Sequence, residues 1–540
     1  MERINVYQRS SLWALSAFIV ILIIAALFRF PQLDRRPLHG DEANQAVKTG
    51  ALYDRGFYEY DPFEHHGPTL YYMELPFLWL SGAGDFADST IIPYRLLIVF
   101  GGMILIALLW FLRDLIGTKA VLWAALLMAV SHGMVYYSRY YVQEMLLICF
   151  VQAAFSFGWL YFKKPTILRA ILFGIALGLI HATKETCILM VFSALVAMAV
   201  CLWLYRRSVS QSFSEMARGF FTRSRNIEIL LIILSALAVS ILFFTSFFSH
   251  ARGPLDSILT YTHYLHRAEG AGSSGIHDKP WYYYLTLLSY FHRQAGPRWS
   301  EGFTLFLALV ASCGILFANS FSREKNKPDK EKAQRWFHPF LMVYALVLLA
   351  LFSAIPYKTP WNVLPAYHGL LLLAGVGAAQ ITTARFGRIV QALLCLVLLG
   401  GAAHMGWQSY QGNFIYDADT RNPYVYAHPS RAIYKLVDRI HHIAAVAPEG
   451  RDMHINLIQP EGDYWPLPWY LKKYSKVGWW THLPDPLDAP LVLAPAALHD
   501  LVEEQLKDDY FVEFQALRPS VLFHVWIRRD LWDAFMETRR

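Results

Sequence analysis

Charge is scarce along this chain. Lys, Arg, Asp and Glu together make up 16% of its 540 residues, against roughly 25% in soluble domains, so lipid is the expected solvent for most of it. Cysteine is scarcer still. The five, Cys149, Cys187, Cys201, Cys313 and Cys395, all fall inside apolar runs and none forms a CxxC pair, which points away from a disulfide framework and from a zinc site. Internal repeats and low-complexity tracts are missing as well. The first apolar run, Leu12 to Phe28, lacks a small-x-small cleavage site and is long for a signal peptide, so it reads as an uncleaved first helix.

What the chain has in abundance is apolar surface, with 55% hydrophobic residues and a mean hydropathy of +0.31. After the first run, further candidate spans lie near 91–112, 119–136, 144–162, 168–182, 186–204, 227–248, 301–319, 338–355, 363–381 and 389–406. That gives about eleven helices, some of them short for the roughly 20 residues a span needs. The stretch TLYYMELPFLWL, 69–80, is shorter again and contains Glu74 and Pro76, so it is expected to lie in the interface or re-enter. The expected fold class is a mainly α polytopic membrane protein with a small C-terminal α/β domain.

Charge bias sets an expected orientation. Residues 205–226 carry Arg206, Arg207, Arg218, Arg223 and Arg225 against Glu215. Residues 322–335 carry Arg323, Lys325, Lys327, Lys330, Lys332 and Arg335, and Arg385 and Arg388 sit between the last two spans. Placing these loops in the cytoplasm follows the positive-inside bias, which also explains the net charge of +7 with no nucleic-acid partner. The loop 31–90, with ten acids against four bases, then falls outside, as does the C-terminus. The expected location is the inner (plasma) membrane, multi-pass, with a cytoplasmic N-terminus.

On that topology the unusual polar clusters share the outer face: HGDEANQ at 39–45, HHGP at 65–68, SRYYVQE at 138–144, TKE at 183–185, IHDKPWYYY at 276–284 and YKTPWN at 357–362. Charged groups cost about 2.5–3.5 kcal/mol each at the bilayer centre, so a one-sided collection of them favours a site over anchored helix ends. Asp41 and Glu42 are neighbours whose side chains diverge by about 100° on a helix, so one can serve a site while the other caps or pairs. His65 and His66 are candidates for substrate or metal. Arg139 and Glu144 stand at a helix start among Tyr136, Tyr137, Tyr140 and Tyr141, a set that also suits an interfacial aromatic belt. Lys184 and Glu185 interrupt two apolar spans with little room for a solvated turn. Lys279, Trp281, Tyr282, Lys358 and Trp361 supply further cationic and aromatic groups. His263 and His266, at i,i+3 spacing, are a weaker candidate for metal ligation.

The Asp-Glu of the first outer loop, SRY followed by an acid, the lysine ending GIALGLIHATK, and KPWYYYL resemble the GT-C membrane glycosyltransferases. Among these, the chain is most similar to protein O-mannosyltransferases and lipid A aminoarabinose transferases. HGDEA, HHGP, YKTPWN and DYWPLPWYL at 463–471 look closer to a prokaryotic branch labelled flippase-associated in surface glycosylation. The resemblance covers 12–406 in layout and reaches the tail through the last motif. It implies transfer of a sugar from a polyprenyl-phosphate donor to a lipid, glycan or protein acceptor on the extracytoplasmic face. Asp41 would be the general base beside Glu42, and Arg139, Lys184 and Lys358 would meet the donor phosphate. His65, His66, Glu144, Glu185, Lys279, Trp281, Tyr282 and Trp361 would line the substrate. The first loop has no DxD, which weakens a metal-dependent oligosaccharyltransferase assignment; no cofactor is expected, with a divalent metal as the open alternative.

The expected division is a catalytic membrane domain over 1–406, with outer loops at 31–90 and 250–300, followed by an extracytoplasmic domain over 407–540. In the latter, MHINLI, APLVLA and SVLFHVWI read as strands and HDLVEEQLKDDY as a helix. The rival readings are a flippase or transporter component and a non-catalytic scaffold. A transport path would place ionisable groups mid-span on broken helices, whereas here they gather at span ends.

Overall fold

The computed structural model describes residues 2–64, 66–208, 223–268, 277–321, 329–384, 386–519 and 521–539. Eight of its helices are long and apolar enough to cross a membrane: Leu12–Arg29, Ile91–Leu112, Gln143–Lys163, Cys187–Leu204, Asn226–Phe244, Ala333–Ala354, Pro360–Thr383 and Arg388–Ile415. Three shorter apolar helices, Thr118–Val130, Ile167–His181 and Gly302–Phe317, complete the set. Together they fall on the eleven runs read from hydropathy. The stretch 69–80 forms the helix Thr69–Ser81 and is not among the spans.

Contacts divide the chain into two compact units. The first comprises residues 1–31, 57–73 and 95–415. Its central helix is the one ending at Thr383: 83% of its apolar window is buried, against 6% for the peripheral helix Asn226–Phe244. Close approach at the centre depends on small residues. A Cβ at Gly375 would strike the Ala120 carbonyl, and one at Gly377 the Leu307 carbonyl, so these two glycines let backbones meet where no hydrophobic force operates between helices in lipid.

One apolar run does not fold as a single helix. Residues 119–136 break into Thr118–Val130, here α1, and His132–Tyr137, here α2. Ser131 turns the chain (φ −61°, ψ 130°), and its hydroxyl accepts from Met134 N. The buried Glu301 carboxylate completes the joint, accepting from Ser131 Oγ at 2.9 Å, Gly133 N at 3.0 Å and Tyr367 Oη at 2.7 Å.

The second unit comprises residues 32–56, 74–94 and 416–540, so pieces of the first loop fold with the C-terminal residues. Its sheet has five strands: β1 Ile455–Ile458, β2 Val477–Trp480, β3 Leu491–Pro495, β4 Tyr510–Arg518 and β5 Val521–Arg528. Their order is β2-β1-β3-β5-β4, with β1 parallel to both neighbours and the β3–β5 and β5–β4 pairs antiparallel. The register aligns Leu457, Leu493 and Val525 on the face that packs against the helix Ala432–Val446 through Leu436, Ile440 and Ile443. The alternate residues Ile458, Val492 and Trp526 pack on the other face with Val502. Both faces are covered, which is why INLI is apolar at three of its four positions. The one polar residue in it, Asn456, is satisfied by Leu487 O and Trp480 Nε1 at 2.9 Å each.

The DYWPLPWYL motif belongs to this unit and holds the first-loop segments. Tyr470 Oη accepts from Leu38 N at 3.0 Å. Trp469 meets Phe86 and Tyr94 edge-on at 5.7 and 5.4 Å. Next to the motif, Lys472 Nζ donates to Ser89 O at 2.6 Å.

Candidate functional site

The first acidic pair lies at the start of the helix Gly40–Arg55, and the helix separates its members. His39 is the N-cap, with extended backbone (φ −72°, ψ 159°). Its Nδ1 accepts from Asp41 N at 3.0 Å, while the Glu42 carboxylate accepts from His39 N at 3.2 Å. This is a reciprocal cap. Arg36 adds an ion pair to Glu42 at 3.5 Å, and Glu42 is fully buried. The Asp41 side chain is 51% exposed, with one carboxylate oxygen 4.0 Å from His39 Nδ1. Gly40 allows the close approach of this helix start to Trp465, since a Cβ there would lie 3.3 Å from the Trp465 Cβ.

His39 packs its ring 4.8 Å from that of His428. Burial pushes its imidazole below the ordinary value, against the opposing pull of Asp41 and Glu42. A neutral ring suits an Nδ1 that must accept the Asp41 N–H. Asp41 therefore sits in the first turn of a capped helix, with Glu42 engaged in the cap and its own side chain half exposed.

The remaining residues singled out in the sequence belong to the first unit. Arg139 follows α2 in the SRYY turn and is almost fully buried. It donates to Phe28 O at 3.1 Å and lies over the Phe414 ring at 4.6 Å. The turn is also fastened by Arg29, a residue that motif reading passed over. Its guanidinium donates to Ser138 Oγ and to the Met128 and Ala129 carbonyls that end α1. The only sequence signal was a lone arginine closing an apolar run.

Three motifs converge on Lys184. Its ammonium pairs with the Glu144 carboxylate from SRYYVQE and reaches Asn362 Oδ1 of YKTPWN at 3.5 Å. Both Lys184 and Glu144 are buried. Next to it, Glu185 meets His66 Nδ1 at 3.0 Å, which brings HHGP onto TKE. Burial pushes the Glu185 carboxyl up, but His66 and Lys184 outweigh it and hold the group below its usual range. Gly67 lies so near the Ala182 carbonyl that a Cβ would collide with it, so HHGP needs glycine at that position.

Other candidates have different surroundings. Lys358 Nζ donates to the Lys279 and Ile355 carbonyls, and burial lowers its ammonium below the ordinary value despite Asp278. Together with Lys358 N to His277 O at 2.9 Å and Lys279 N to Pro356 O at 3.1 Å, it clamps 277–279 against 356–358. Trp361 is buried beside Tyr137 and Tyr140. Trp281 and Tyr282 are exposed, 65% and 48%, and meet edge to face at 5.8 Å. His65, like the side chains of His263 and His266, lies outside the described residues. Among the described residues no three His, Cys, Asp or Glu side chains converge as metal ligands.

The profile of the dolichyl-phosphate-mannose-protein mannosyltransferase family matches residues 19–252. ArnT from Cupriavidus metallidurans in the apo state is similar in structure over 97% of this chain and 99% of its own, with a TM-score of 0.63 at 15% identity. The same enzyme bound to undecaprenyl phosphate gives 0.56 at 14% identity, over 95% and 98%. The Archaeoglobus fulgidus oligosaccharyltransferase tethered to an acceptor peptide containing the NVT sequon gives 0.54 at 14%, over 98% of this chain and 77% of that one. No curated protein sequence matches the chain. The fold is that of the GT-C membrane glycosyltransferases, as the motifs implied.

Proposed function

We propose that this membrane protein of GT-C fold moves a sugar from a polyprenyl-phosphate donor to an acceptor on the extracytoplasmic face, with Asp41 as general base. The observation that carries the reading is the division of roles in Asp41-Glu42. Glu42 is buried in the cap, and Asp41 presents an exposed carboxylate at a helix N-terminus. The relative bound to undecaprenyl phosphate supports the donor class.

In the proposed step an acceptor hydroxyl or amide attacks the anomeric carbon as the bond from that carbon to the phosphate oxygen breaks. The acceptor proton passes to Asp41, a transfer worth typically 10²–10⁴-fold. The electron pair leaves with the polyprenyl phosphate, whose growing charge needs cationic donors. Arg139 and Lys184 are the proposed donors. Lys184 is already shared with Glu144 and Asn362, so it would offer its remaining N–H while Glu144 fixes its position. Glu185, His66, Lys279, Trp281 and Tyr282 remain proposed substrate contacts.

Purified protein in vesicles, supplied with a panel of radiolabelled polyprenyl-phosphate sugars, should transfer or release the sugar of one of them. Asp41→Asn should lower that turnover at least roughly 100-fold while leaving donor binding intact. Arg139→Ala should raise the donor KM and lower kcat together, because ground and transition states both carry the phosphate charge. Full turnover in Asp41→Asn would remove it as the base.

A further inference from the structure

We infer that the first unit holds a second lipid site, specific for an anionic phospholipid, at the end of the helix bundle remote from Ser131 and Arg139. A cavity of about 450 Å³ opens there at the starts of α1 and of the helix Arg388–Tyr410 (α3). Lys119, Arg388, Thr382 and Gln391 supply its polar lining, and Trp123 and Cys395 its apolar wall. The order along the helices matches a phospholipid. Lys119 and Arg388 occupy the first turns, whereas Trp123 and Cys395 lie one to two turns deeper, at acyl-chain depth.

Among the described residues the two cations have no internal partner to explain them. Both are exposed, and among the described residues neither forms an ion pair or a hydrogen bond. The first turns of α1 and α3 contain no acid. Cations are disfavoured by the helix dipole in a first turn and favoured in a last one, so these positions lower helix stability unless an outside anion lies against them. A positive-inside signal alone asks only for cations in the loop; it does not ask for a cavity between them with an indole on its wall.

The occupant is an anionic lipid because the cavity is open to the bundle surface and amphiphilic along its length. The neighbourhood fits this source. Gly117, two residues before Lys119, lies beside Gln334, and on the expected topology this end faces the cytoplasmic leaflet. Basic pockets between membrane helices on that side suit anionic headgroups. The inference is independent of the proposed transfer reaction.

The test uses full-length protein stripped of lipid in detergent and titrated with dioleoyl phosphatidylglycerol or dioleoyl phosphatidylcholine, counting bound lipids by native mass spectrometry. Wild type should retain phosphatidylglycerol roughly 10-fold more tightly than phosphatidylcholine. The double variant Lys119→Ala/Arg388→Ala should lose that preference with no fall in its lipid-free melting temperature, as both side chains are exposed and neither favours its helix start. Equal binding of the two lipids by wild type, or a preference that survives in the double variant, overturns the site. Inorganic phosphate stabilising wild type as well as phosphatidylglycerol does would overturn the lipid as its occupant.

Discussion

Asp41 and Glu42 are adjacent in sequence and end in different surroundings because a helix turns successive side chains through about 100°. That divergence was readable from the sequence. Which acid would be engaged was not, because it depends on His39 taking the cap and Arg36 folding back. Lys472 gives a pH-dependent case at the same scale. It stands over Trp469 at 3.6 Å and Phe86 at 4.7 Å, and burial, with Lys473 adding to it, pushes its ammonium down to about 7. Between about pH 7 and the ordinary lysine value, the unfolded chain holds a proton that the folded chain has lost. Stability therefore rises with pH through that window and is lowest below it. Melting followed by tryptophan fluorescence should give a higher Tm at pH 9 than at pH 6, with a smaller difference in Lys472→Met. An identical pH response in the two proteins would show that Lys472 does not carry the effect.

The instructive element is the joint between α1 and α2. Hydropathy reads 119–136 as one span, since Ser131, His132 and Gly133 are too few to lower a window average. A serine followed by a glycine is a local break signal, but the partner that makes the break stable lies 170 residues away. Glu301 was invisible to motif reading because its function is defined only by contact. Its carboxylate accepts three hydrogen bonds in a buried setting, and each donor left unpaired costs roughly 1–3 kcal/mol. Glu301→Ala should therefore destabilise the protein by about 3 kcal/mol or more, with Glu301→Gln in between. Thermal melting of the purified variants checks this, and a Glu301→Ala protein that melts with wild type would mean the joint holds by apolar packing alone.

Across the whole molecule, the periodic and compositional features were legible and the long-range ones were not. Eleven apolar runs became eight long and three short helices, and MHINLI, APLVLA and SVLFHVWI became three strands of one sheet. The joining of first-loop residues 32–56 and 74–94 to the C-terminal residues left no trace in composition, because it rests on Tyr470, Trp469 and Lys472 meeting partners hundreds of residues earlier. It also makes orientation testable twice within one unit. Gly56 closes the helix Gly40–Arg55 in a left-handed turn (φ 68°), and Gly450 stands in a second such turn (φ 56°). Nothing lies within 4 Å of where either Cβ would be. If the positive-inside bias sets the topology, cysteines introduced at both positions should react with an impermeant maleimide in intact cells. A cysteine at Ser212, in the arginine-rich stretch, should react only after permeabilisation. The left-handed backbone strains a non-glycine residue by about 1–2 kcal/mol, small enough for labelling of folded protein. Labelling at Ser212 alone would invert the topology and move the proposed transfer to the cytoplasmic face. A split result between Gly56 and Gly450 would instead contradict the single compact unit that holds both.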